Sequence, residues 1–101
     1  MAITSLSSPD GQELTIVIQG RFDFGAHQEF RGAYERVDLS PKRYAVDLKG
    51  TTYLDSSALG MLLLLRDHAG GDHAHIRLLN CNADVRKILA ISNFEQLFQI
   101  T

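Results

Sequence analysis

The spacing of apolar and polar positions changes several times along the 101 residues, and each change predicts an element. Ile3 to Leu6 reads as a short edge strand, and Ser8-Pro9-Asp10-Gly11 as a turn. Glu13 to Gln19, rich in β-branched residues, predicts a strand ended by Gly20, with Arg21 to Gly25 as the next connection. From Ala26 the spacing turns helical. Phe30, Ala33 or Tyr34, and Val37 recur every three or four residues, while Glu29, Arg31, Glu35 and Arg36 supply a wet face. Asp38 to Pro41 closes that helix.

The most apolar stretch runs from Tyr44 to Arg66. Tyr44, Ala45, Val46 and Leu48, bounded by Pro41 and Gly50, predict a buried strand. Ala58 to Leu65 is apolar at every side chain except Gly60, and Arg66, Asp67 and the Gly70-Gly71 pair stop the run, which predicts a helix. A loop from Gly70 leads into a strand over His75 to Leu79. Asn82 then caps a helix with Asp84 in its first turn and Val85, Ile88, Leu89 and Ile91 on one side, stopped by Ser92-Asn93. Phe94, Leu97, Phe98 and Ile100 predict a closing turn and a last short strand. Strands alternating with helices imply βαβ units. The expected fold is α/β: one domain over residues 1–101, with a mixed sheet of four to five strands, parallel at its centre, and helices packed on it.

Asp55, Ser56 and Ser57 fall where loop becomes helix. A helix starting at Ser56 or Ser57 aims free backbone N–H groups, and the positive end of its dipole, at whatever the hydroxyls carry. Plain capping explains one such residue, but three polar residues stand there. No capping box forms from either serine, because Leu59 follows Ser56 by three and Gly60 follows Ser57 by three. In an open α/β sheet the loops after the carboxyl ends of strands gather on one edge, so Phe22–Gly25 and Lys49–Ser57 are expected as neighbours. The helix after Ser57 is apolar over more than the stripe that faces one sheet; either other elements cover the surplus or it forms a partner groove. Asp23 on the first loop and Ala58, Leu59, Met61 and Leu64 on the helix are the candidate partner contacts, with Asp55 and Ser56 supporting the serine.

The string YLDSSALGMLLLL, preceded by a VDL strand and followed by a hydrophobic strand and VRKILAISNFEQLFQI, resembles the STAS domain of bacterial anti-sigma factor antagonists, whose usual form is D-S-[ST]-[GA]-L-G. The similarity runs from about Leu14 to the C-terminus; Ala58 stands where many members have Gly. In that family the second hydroxyl residue after the Asp is the regulatory phosphorylation site, which the resemblance carries over to Ser57. It implies a switch protein that binds a partner when Ser57 is unmodified and releases it when phosphorylated. The implied partner is an anti-sigma factor and serine kinase of the histidine-kinase-like ATPase type, and the implied reversal comes from a PP2C-type phosphatase. The alternative is an accessory STAS subunit of a membrane transport complex, docked on an ATPase and never phosphorylated.

Composition narrows the classes further. A net charge of −2 and the absence of any Lys/Arg cluster give no reason to expect nucleic acid. No apolar run approaches the ~20 residues that span a bilayer. The first residues show no secretory pattern, and the single Cys81 fits a reducing compartment, so a cytoplasmic protein is expected. His68, Asp72, His73 and His75 cluster without metal-ligand spacing and read as a polar turn. Cys81 has no neighbouring base, and Ser57 lies outside G-x-S-x-G, so no catalytic residue, cofactor or metal is expected.

Overall fold

The computed structural model describes residues 2–35 and 41–101. The chain order is β1 (Ala2–Ser7), β2 (Glu13–Phe22), a 3-10 turn (Phe24–Ala26), α1 (His27–Glu35), β3 (Arg43–Leu54), α2 (Ser56–His68), β4 (Ile76–Leu79), α3 (Ala83–Ile91) and β5 (Gln99–Ile100). The expected helix positions Arg36 and Val37, and its stop from Asp38 through Ser40, lie outside the described residues. Five strands form one sheet in the order β1-β2-β3-β4-β5. The first pair is antiparallel and the others are parallel, so the sheet is mixed, as expected.

Each parallel pair is joined through a helix, and right-handed crossovers taken always in the same direction place all three helices on one face. The burial pattern agrees. Leu14, Ile16, Ile18 and Phe22 of β2, Val46 and Leu48 of β3, and Ile76 and Leu78 of β4 point into the core, which Phe30 and Tyr34 of α1, Ala58, Met61, Leu62 and Leu65 of α2, and Val85 and Leu89 of α3 complete. On the other face Thr15, Val17, Asp47, Arg77 and Leu79 remain partly accessible. Ile91, expected on the buried side of α3, is 72% exposed, because two residues past Leu89 is about 200° around the helix.

Two strands outrun their predicted ends. β2 continues through Gly20 to Phe22, and β3 continues through Gly50 to Leu54. Both glycines sit where the pairing slips, between Val17 and Gln19 and between Gly20 and Arg21, so that β3 twice gains a residue on β2. Gly20 has φ 89°, and a Cβ on Gly50 would lie 3.0 Å from Gln19 Cγ. Glycine here allows irregular pairing instead of ending it. Thr51, buried at the bulge, donates its hydroxyl to the Ile18 carbonyl at 3.1 Å, and Asn82 Nδ2 donates to the Thr51 carbonyl at 3.1 Å.

Candidate functional site

Because β3 extends so far, only Asp55 separates it from α2. Its extended backbone makes it the helix cap: Oδ1 accepts from Ala58 N–H at 2.9 Å, and its carbonyl accepts from Leu59 N–H at 3.2 Å. Those two bonds leave the N–H groups of Ser56 and Ser57 as the first-turn donors with no acceptor among the described residues. Asp55 therefore acts as the cap, and both serines are free of that duty. Ser56 is exposed and Ser57 half-buried.

The loop after β2 lies beside this helix start. Phe22 pairs with Leu54, and Asp55 N–H donates to the Phe22 carbonyl at 3.4 Å, so the two loops expected on one sheet edge do meet. Asp23 caps the 3-10 turn by accepting from Gly25 N–H at 3.0 Å and ion-pairs with Arg21 at 3.5 Å. The Arg21 guanidinium rests 4.1 Å above the ring of Tyr53. Phe24 follows, 74% exposed, with its ring stacked on His27 at 6.4 Å. Phe24 and Tyr53 lie within the two stretches expected on this edge, but the sequence singles out neither them nor Arg21, since the stacking of Arg21 on Tyr53 depends on β2 and β3 running past Gly20 and Gly50.

Along α2 the structure divides the apolar run. Ala58 and Met61, expected as partner contacts, are buried with Leu62 and Leu65 against the sheet and cannot meet a partner in the folded chain. Leu59 is half-buried against the core, and Leu64 is 49% exposed. The accessible stripe is Ser56, Ser57, Gly60, Leu63, Leu64 and Asp67, at the three- and four-residue spacing of one helix face. Leu63 and Gly60 thus stand on the accessible side where Met61 and Ala58 were expected.

The other candidates go to separate surroundings. The His68 ring lies 4.9 Å from that of Tyr34, Asp72 ion-pairs with Arg66 at 3.0 Å, and His75 precedes β4 on the opposite edge of the sheet. Burial pushes the Cys81 thiol up from its ordinary pKa, with Arg86 pulling partly the other way, which disfavours the reactive thiolate. Among the described residues, no helix is long and apolar enough to cross a membrane.

A family model described as "Mlab, STAS domain" matches residues 6–99, nearly the whole chain. The fold and this site define a STAS domain, and the chain belongs to that family. It is 76% identical over 101 residues, the full length of both chains, to a STAS-domain containing protein of Pseudomonas aeruginosa strain UCBPP-PA14. Among solved structures it resembles the anti-sigma factor antagonist SpoIIAA in its unphosphorylated form, with a TM-score of 0.71 and 17% identity over 99% of this chain and 87% of that one. The phosphorylated Bacillus SpoIIAA gives 0.68 and 17% over 99% and 91%. A sulfate transporter family protein of Wolinella succinogenes gives 0.75 and 14% over 93% and 80%. At those identities the likeness is one of fold.

Proposed function

We propose that the chain is a phosphoswitch of the anti-sigma factor antagonist kind. It binds a regulator through the edge formed by the β2–α1 loop and α2 while Ser57 is unmodified, and releases it when Ser57 is phosphorylated. The observation that carries this reading is the start of α2, where Asp55 takes over the capping and leaves two serine hydroxyls and their two amides without a partner among the described residues at the positive end of a helix. A phosphoryl group there adds about 1.5–2 negative charges, and the helix start favours an anion by roughly 0.3–2 kcal/mol. The chain itself does no covalent chemistry. A serine kinase that is also the anti-sigma factor adds the group, a PP2C-type phosphatase removes it, and the exchange takes place in the cytoplasm.

Release follows from desolvation. A dianion inside the contact must be buried without a counter-charge, which costs several kcal/mol after relaxation. A loss of ~3–4 kcal/mol weakens binding by a few hundred fold. Calorimetry of the partner with each variant tests the scheme: Ser57→Asp binds poorly and Ser57→Ala binds constitutively. Phosphopeptide mapping of protein taken from native cells, alongside a pull-down, identifies the partner and the serine. A label retained in Ser57→Ala and lost in Ser56→Ala moves the site by one residue. A transport ATPase as partner, no phosphopeptide, and equal binding of Ser57→Asp and wild type would replace the switch with an accessory subunit.

A further inference from the structure

The amino ends of β3 and β4, at the sheet edge opposite Ser57, enclose an open groove of about 470 Å³ whose lining includes Lys42, Arg43, His75, Ile76, Arg77 and Leu97. That volume falls within the usual range for small-ligand sites. The two guanidiniums are held in place, and the backbone that carries Lys42 is fixed. Backbone N–H groups of Lys42 and Arg43 both donate to the Gln12 carbonyl, at 2.9 and 3.0 Å. Glu13 bridges the two guanidiniums, accepting from Arg43 Nε at 3.2 Å and from Arg77 Nη2 at 2.9 Å. Each guanidinium thereby spends one of its five N–H donors on Glu13, and the rest of each fork has no partner among the described residues. Asp10, whose charge Arg43 also feels, is turned instead toward Ser8 Oγ and Gln12 N–H. The Lys42 ammonium has no side-chain partner among the described residues.

Lys42, Arg43 and Arg77 bring three positive charges to the groove; Glu13 removes one, and Asp10, outside the lining, offsets part of Arg43. Forked donors beside a flexible ammonium suit the oxygens of a phosphoryl group, and the remaining excess of positive charge suits its dianion better than a carboxylate. Leu97, 38% exposed, supplies an apolar wall for whatever the phosphate is attached to. We propose that this groove binds a phosphate monoester of a small organic group, with the dianion on Lys42, Arg43 and Arg77 and the organic part against Leu97. The groove lies apart from the Ser57 edge and does not rest on the phosphoswitch.

The test is an amide NMR titration of the full chain with phenyl phosphate, with benzyl alcohol as the uncharged control. Saturable shifts are expected at Arg43, at His75 to Arg77 and at Leu97 to Gln99, with none at Ser56 to Leu59. Affinity should fall at least about tenfold in Lys42→Ala and in Arg77→Gln, and Arg77→Lys should restore only part of it. Lys42→Ala removes an exposed side chain that makes no hydrogen bond or ion pair among the described residues, and an unchanged circular dichroism melt shows that its result is independent of folding. Sedimentation with phosphatidylcholine vesicles, with and without phosphatidic acid, separates the sources of the ester. Co-sedimentation that needs both phosphatidic acid and Lys42 assigns a lipid headgroup, and Lys42-dependent shifts without it assign a soluble ester. No saturation up to ~10 mM, shifts centred on Ser56 to Leu59, or shifts and sedimentation indifferent to Lys42→Ala would overturn the site.

Discussion

Gly60 is a residue that the fold itself does not need. A Cβ built there meets no other element within 4 Å among the described residues, and glycine within a helix costs about 0.5–1 kcal/mol relative to alanine. Gly60→Ala should therefore stabilise the chain by about that amount in a urea titration. If the partner's surface lies against the same spot, the added methyl should also weaken binding. An alanine variant that is more stable and binds as tightly as wild type would place Gly60 outside the interface. Two neighbours offer a sharper contrast. Met61 is 3% exposed, so Met61→Glu buries a carboxylate and should unfold the domain at the temperature where wild type is intact. Leu64→Glu, on the open stripe, should leave the thermal midpoint within a few degrees and still abolish partner binding. Melting followed by circular dichroism, with calorimetry of the partner, checks both. The sequence could not separate these two positions: a run apolar at seven of its eight residues has no period to show which side faces the sheet. The serines were legible because polar residues at a helix start stand out against such a run.

At the scale of elements, the start of α2 tolerates negative charge, so phosphorylation should change the surface and leave the helix intact. Far-UV circular dichroism of the phosphorylated chain should match the unmodified one, and a loss of helix signal would count against the mechanism. The bulged ends of β2 and β3 depend on Thr51, whose hydroxyl reaches the Ile18 carbonyl. Thr51→Val should cost about 0.5–1.5 kcal/mol in chemical denaturation, the net value of one such bond. If the bulge also aims Asp55, partner binding should fall with it. Every helix and strand was visible as an element, yet two strand ends were misplaced. Gly20 and Gly50 look like stops to a reader of one strand, and only the partner strand reveals that pairing resumes beyond them. The stretch from Lys49 to Ser57 therefore read as a long connection, whereas one residue makes the turn.

For the whole molecule, the sequential order of the strands carries a consequence for how the chain folds. From β1 to β5 every strand lies beside the one synthesised just before it, so no strand has to leave room for a later arrival. The first parallel pairing, Glu13 with Arg43, closes across 30 residues, and the later ones are added at the growing edge. Entropy lost on closing a loop rises slowly with its length, so the parallel closures cost about the same, while the pairing each one gains shrinks from nearly the whole of β2 on β3 to four residues of β4 and two of β5. The segment that carries Ser57 and its neighbouring loop is complete at His68, with a third of the chain still to come. Refolding should therefore proceed from the amino end toward the carboxyl end. In a pulsed hydrogen-exchange experiment, amides of β2 and β3 should become protected before those of β4, and the two-residue β5 should be last. Early protection in β5 would mean that the chain closes from its far edge, and that the order of strands in space does not record the order in which they form.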